Sequence, residues 1–525
     1  MKGVSLGRSA SLALVAMILL ASIASADDPG FLTSQPAMLT PVAPGASVLP
    51  IITVGDTLQT GYRFESLPDG IALLANGQGT VDAFVNHETS LVPFPLAANI
   101  ANCTSSTCQS DFDNAQVSRL RLQQNSAGVL SAEMAITSAS NYQRFCSSFM
   151  ADGSVGFRRP TLFTNEEATD FVSPPPLQAW PATPSNQRQA GLVVALDARN
   201  GKKYEIPGMG RMNHENTVFL PGGWNKLVAV TGDDTFSAPA SQLYMYVADS
   251  DNDVLADRGS LWAFVSDNPA INDYGDITSA MSVSGHFIAV PRAIALGDQT
   301  PLENWSNANN VFQFIRIEDL DYDKNNPRIV YFADTGEPRA IPDPATGRLK
   351  RGPSGTQGPY PNGRIYKIVL NANDPTVVDS LSILVNGDAG GYNNFNALHN
   401  PDNVSASANS LMITEDPGSH NNYNVGSGGP TARLWKYDLA SGSLTVAAAV
   451  DQSADPVARL GSWESTGVID ASSIFGPGTW LINVQAHSLY VETETRTVTL
   501  PSGASGPMLF KREGGQMLLL KVPGS

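Results

Sequence analysis

An all-β fold, a six-bladed propeller with loop insertions behind a secretory signal peptide, is what this sequence predicts, and three observations predict it. Short β-type runs alternate with Gly, Pro, Asn and Asp clusters almost to the end, as in Lys226–Thr231, Leu243–Ala248, Arg433–Leu439 and Trp480–Val484, the pattern of strands and tight turns. No amphipathic helical period runs beyond about three turns, a usual helix length. A strand, an acidic loop and a partner strand recur, the loops ending at Glu167, Asp249, Asp334 and Asp416 with spacings of 82, 85 and 82 residues. Near-equal spacing points to radial repetition, and about six such units fit the chain. The same strands can also build a two-sheet sandwich, in which case the spacing is coincidence.

The chain opens with Lys2 and Arg8, an apolar run from Leu12 to Ile23, and Ala24-Ser25-Ala26. This three-part pattern reads as a signal peptide over residues 1–26, too short for a comfortable membrane span, with a retained anchor as the alternative. Residues 27–50, rich in Pro, Ala, Ser and Thr without periodicity, read as an extended lead-in. A single propeller domain is expected over 51–525. Export to the periplasm or the medium follows from the signal peptide.

Acidic residues outnumber basic ones by 49 to 32, a net charge of −17. That sign opposes nucleic acid and anionic membrane surfaces and suits cations. The reading therefore expects no nucleic-acid partner, no membrane association after cleavage, and a monomer. Of three cysteines, Cys103 and Cys108 can close a small loop and leave Cys146 free, or either can pair with Cys146.

Propeller loops converge on one end of the axis, so carboxylates far apart in sequence become neighbours. The candidate metal ligands are Glu88, Glu166, Glu167, Glu215, Glu318, Asp402, Glu415 and Asp416, with Asn86, Asn216 and Asn403 as companion oxygen donors. Hard cations take six to eight such oxygens. Arg211 and Arg316, beside Glu215 and Glu318, are the candidate catalytic groups, because a guanidinium fork matches two oxygens of a phosphate; each can equally neutralise its neighbouring acid. His87, His214 and His487 can be ligands, supports for ligands or turn residues. The alternating acids of Asp249–Asp253 and Asp319–Asp323 resemble calcium loops but lack the glycine and distal glutamate, and read as plain turns. No Gly-x-Ser-x-Gly elbow, phosphate loop or His-Glu-x-x-His helix occurs, which weighs against serine hydrolase, nucleoside-triphosphatase and zincin chemistry.

Val85-Asn86-His87-Glu88, Met209-Gly210-Arg211 through His214-Glu215-Asn216, Arg316-Ile317-Glu318, Tyr331 through Gly336, and Pro401-Asp402-Asn403 through Glu415-Asp416 together resemble the PhoX-type alkaline phosphatase family. Trp463 through Gly467 and Val484 through His487 extend the resemblance. It implies a six-bladed propeller, an exported phosphomonoesterase acting on small phosphoesters, and an axial cluster of calcium and iron. It implies that Glu215 and Glu318 bind metal, that Arg316 faces substrate, and, on weaker matches, that Glu88, Asp402 and Glu415 join them. One departure stands out. The family segment normally ends Thr-Cys-Glu-Glu, its thiolate on iron, and here it reads Thr164-Asn165-Glu166-Glu167. Asparagine offers a hard amide oxygen, and Cys146, nineteen residues upstream, reads as a poor substitute. The departure opens an alternative: a calcium-binding propeller without the iron site, which binds a ligand or hydrolyses another ester. A noncatalytic binding module is the third reading.

Overall fold

A computed structural model describes residues 29–175, 177–235, 241–392, 394–418 and 430–525. The expected signal peptide lies outside them. The strands assemble into six antiparallel blades. Their innermost strands are β1 (Pro68–Gly77), β2 (Phe145–Ala151), β3 (His214–Phe219), β4 (Ile317–Tyr322), β5 (Pro401–Ala406) and β6 (Trp463–Asp470). Each touches the next and β6 touches β1, so the six close a ring around one axis. Blades 3 and 4 are continuous at their rims, where Val283–Ala289 pairs with Ser260–Ser266 on one side and Val377–Asn386 on the other.

The expected lead-in is more than a tether. Leu39–Pro41 is the outermost strand of blade 5, Leu39 opposite Val450, and Ser47–Thr53 is the outermost strand of blade 6, Ser47 opposite Lys521. Their apolar alternation is short and interrupted by proline, and it gains its partners only from the far end of the chain. Because the first strands complete the last blades, the ring is closed by backbone hydrogen bonds, which leaves fewer unpaired edges.

Side chains between blades form the core. Phe157, Phe163 and Phe219 meet with ring centroids 4.7 to 5.5 Å apart where blade 2 faces blade 3, an edge-and-tilt geometry favourable for aromatic groups. Trp463 and Trp480 are fully buried between blades 5 and 6. Near the axis, Gly70 permits the close approach of β1 to β2, since a Cβ there would stand 2.6 Å from the Cys146 carbonyl oxygen.

Insertions enlarge this frame. The hairpin Thr479–Thr499 and Ser505–Lys521 runs past its blade as an arm, and Gln109–Asp111 pairs with it in parallel, Asp111 opposite Lys511. That insertion carries a Cys103–Cys108 disulfide, and Cys146 is free and buried. The Asp249–Asp253 run is no cation loop: Ser250 caps the short helix Asp251–Leu255, Asp251 pairs with Arg158, and Asp253 with Arg258. In the Asp319–Asp323 run, Asp319 accepts from Asn216 and Asp321 pairs with Lys324.

Candidate metal centre on the propeller axis

The second residue of every innermost strand points to one place. These residues are Asp69, Cys146, Glu215, Glu318, Asp402 and Glu464, one per blade. In five blades the ladder slips immediately there: three residues of the inner strand span two of its partner, as between His214 and Thr217 opposite Asp233 and Thr231. Such a bulge re-aims a side chain that regular alternation would direct elsewhere. In blade 6 the slip comes later, between Thr466 and Ile469.

A second set comes from the residue that follows, on the neighbouring strand, the partner of each inner strand's first residue. It comprises Glu88, Glu167, Asp234, Thr335, Asp416 and His487. Ligand-capable atoms within 4.8 Å of one another form four overlapping groups: Asp69–Glu88–Cys146, Cys146–Glu167–Glu215, Glu215–Glu318–Asp402 and Asp402–Asp416–Glu464. Shared members make these an unbroken arc of eight carboxylates and one thiol, and all of them but Glu215 line a cavity of about 680 Å³.

The electrostatics of this arc are those of a site short of positive charge. Burial, reinforced by Glu88, raises the Asp69 carboxyl to about 8. Burial and then neighbouring acids push Glu167, Glu215, Glu318, Asp402 and Glu464 well above the carboxylate range, and the Cys146 thiol is pushed up the same way. Crowded buried carboxylates resist ionisation unless a cation joins them. Glu215 Oε2 is buried and has no hydrogen-bond partner among the described residues, while its Oε1 accepts from Ser147 Oγ at 2.6 Å. An orphaned, buried carboxylate oxygen fits a cation. The donor set, oxygens with one thiolate, suits hard ions along the arc and a softer transition metal at Cys146.

Of the expected ligands, the structure brings Glu88, Glu167, Glu215, Glu318, Asp402 and Asp416 together, and sends Glu166 and Glu415 elsewhere. Glu166 receives both Arg188 amino groups at 2.8 Å, plus the Gln143 and Leu192 amides. Glu415 likewise holds Arg433 at 2.9 Å and the His399 amide. In Glu166-Glu167 and Glu415-Asp416, strand alternation turns the first acid into the blade and the second toward the axis. We expect Glu166→Ala, which leaves Arg188 buried without its partner, to cost about 3–5 kcal/mol of stability while metal content stays unchanged; chemical denaturation with elemental analysis checks both.

Arg211 is also misplaced by the sequence reading. Its guanidinium donates to the Gln189 carbonyl at 2.6 Å and does not line the cavity. Arg316 does line it, but Asp234 grips it at 2.7 and 2.8 Å and Glu318 lies 3.1 Å away. His87 and His214 are structural; each is buried, bonded to a backbone carbonyl and a hydroxyl, and pushed down to about 4 by burial. Asn216 and Asn403 do not face the arc either. Asn216 stitches β3 to Asp319 of β4 at 2.6 Å, and Asn403 reaches across the axis to Ser147 Oγ at 3.0 Å. Asn86 donates to the Cys146 and Ser147 carbonyls.

Asp69, Cys146 and Glu464 are the arc members that sequence reasoning missed. Cys146 Sγ lies 3.2 Å from both Asp69 Oδ2 and Glu215 Oε1, whereas Asn165 clamps the Glu215 carbonyl from the side. The signal that finds all six inner arc members is positional: an apolar residue, proline or histidine, then the candidate, then a small or polar residue, at the head of each inner strand.

The family model described as alkaline phosphatase PhoX matches residues 147–486. Among solved structures, Pseudomonas fluorescens PhoX in complex with vanadate, a transition state analogue, aligns with a TM-score of 0.59 at 15% identity, covering 94% of this chain and 98% of that one. The α-L-arabinofuranosidase Arb93A from Fusarium graminearum with an iminosugar inhibitor aligns at 0.36 and 9% identity, covering 90% and 97%. No curated protein matches the sequence. With more than half its length matched by that model, and the fold shared with the Pseudomonas structure, the chain belongs to the PhoX alkaline phosphatase family.

Proposed function

We propose that this protein is an exported, metal-dependent phosphomonoesterase, and the observation that carries the reading is the arc of one ligand per blade. Asp69, Cys146, Glu215, Glu318, Asp402 and Glu464, with Glu88, Glu167 and Asp416, would hold calcium along the acidic stretch and iron at the thiolate. Bound there, such metals supply Lewis-acid polarisation of phosphoryl oxygens and an activated oxygen nucleophile. The thiol within the arc favours this over a calcium-only propeller.

The chain's own contribution is orientation and charge. Burial alone would depress the His487 imidazole, but Glu464 and Glu513 at the cavity wall outweigh it and push it well above the ordinary histidine value. Arg316, with its two carboxylate partners, fixes the position of Glu318. A guanidinium with donors to spare is Arg459: it lines the cavity, and among the described residues its hydrogen bond runs to the Gly418 carbonyl at 3.0 Å. Arg459 would hold the equatorial oxygens of the phosphoryl group as charge develops on them.

Phosphate release from p-nitrophenyl phosphate, with calcium and iron supplied, tests the proposal. Turnover that a chelator abolishes is the expected result, and no turnover under any metal regime contradicts it. We expect Arg459→Ala to lower kcat/KM at least about tenfold with an unchanged unfolding midpoint, since it holds no buried partner; equal kcat/KM in variant and wild type would return the phosphate role to Arg316.

A further inference from the structure

The cavity is larger than a phosphoryl group requires; about 680 Å³ is the scale of sites that enclose a whole small molecule. The wall away from the ligand arc is built by residues outside the family-matched segment. Phe94 and Asp111 come from the insertion after Glu88, and Tyr490 and Lys511 from the arm.

Asp111 is the informative member. Its Oδ2 accepts the Ser90 amide at 2.8 Å, but its Oδ1 is buried and has no hydrogen-bond partner among the described residues; the residue is 91% buried and lines the cavity. A buried acceptor left unfilled is costly, and a ligand that donates to it recovers that cost. The pairing of Gln109–Asp111 with Leu509–Lys511 sets Asp111 beside Lys511, whose ammonium is held by Glu513 at 2.6 Å and keeps further protons to donate. Phe94, 74% exposed, and Tyr490, whose hydroxyl bonds Gln109 at 3.2 Å, add apolar ring faces. A charged acceptor, a donor and aromatic faces together match a carbon skeleton bearing several hydroxyls.

We propose that this wall is a leaving-group subsite for polyhydroxylated alcohols, with Asp111 Oδ1 accepting a substrate hydroxyl, so that the preferred substrates are phosphomonoesters of polyols and sugars. The inference rests on the phosphoesterase reading above.

The test compares glycerol 1-phosphate with n-propyl phosphate, which differ only in their hydroxyls. Wild-type kcat/KM is expected to favour glycerol 1-phosphate by at least about tenfold, as in sites built to bond a hydroxyl, and Asp111→Ala brings the ratio close to one. A wild-type ratio near one, or a ratio that Asp111→Ala leaves intact, overturns the proposal. Should Asp111→Ala fail to fold, Asp111→Asn keeps an acceptor for the Ser90 amide and is expected to cut the ratio at least about threefold by removing the charge; no change overturns the subsite. If neither ester is hydrolysed, the phosphoesterase reading fails by itself, and calorimetric titration with the same two esters decides the subsite. Tighter binding of glycerol 1-phosphate that Asp111→Ala abolishes supports it, and equal binding overturns it.

Discussion

Glu215→Gln is expected to reduce phosphomonoester turnover by at least about a thousandfold, equivalent to ~4 kcal/mol of transition-state stabilisation, while making the metal-free protein more resistant to unfolding. The two effects have one origin. Glu215 belongs to two of the four overlapping ligand groups and carries the orphaned oxygen, so its loss disrupts cation binding at the middle of the arc. Without cations, the same carboxylate is a buried acid crowded by Asp69 and pushed well above its ordinary range, and replacing it with an amide relieves that crowding. Stability measured with and without chelator separates the effects. A merely structural Glu215 would destabilise both forms on substitution, and that outcome removes it from the site.

Metal removal is the second large effect, and its size depends on pH in a definite direction. Asp69 is raised from 3.8 to about 8 by burial and Glu88, and Asp319 to about 7 mainly by burial. A carboxyl whose pKa is higher folded than unfolded stabilises the fold while protonated. Its contribution is full below about pH 4 and is lost as pH rises through the folded pKa. The metal-free protein should therefore weaken steadily between about pH 4 and pH 8, by an amount on the order of 5 kcal/mol for a group shifted as far as Asp69. Cations bind the ionised carboxylates, so their affinity rises over the same interval. The gap in unfolding midpoint between metal-loaded and chelated protein should widen from pH 4 to pH 8. A gap independent of pH would show that the acids are not ligands.

Much of the architecture was legible because strand patterning is local. Alternating apolar runs and turn residues declare a β-protein, and chain length with repeated acidic loops yields six units. The frame of the repeat was not legible. Asp249 and Asp334 share the spacing of Glu167 and Asp416, yet Asp249 pairs with Lys226 on the outside, and Asp334 accepts the Ile315, Arg316 and Gly336 amides. Insertions of unequal length between blades make the spacings of the inner arc members irregular, from 62 to 103 residues, so even spacing was partly a coincidence of outer loops.

The site was half legible for a related reason. Paired acids such as Glu166-Glu167 advertise themselves, but alternation assigns one of each pair to an arginine inside the blade. Asp69, Cys146 and Glu464 sit alone among Pro68, Gly70, Phe145 and Trp463, with no charged neighbour to mark them. Only the bulge at the head of the inner strand reveals their role, and a bulge is a pairing event between segments that the sequence does not align. The lead-in was underestimated likewise, since Ser47–Thr53 finds its partner at Ser505–Lys521.

Elemental analysis of the purified protein, supplied with calcium and iron and then dialysed, tests the axial arc most directly. More than one cation per chain should remain, calcium with iron, falling in Glu215→Gln, and iron alone should be lost in Cys146→Ser. A wild-type chain that keeps no cation after dialysis would contradict the account.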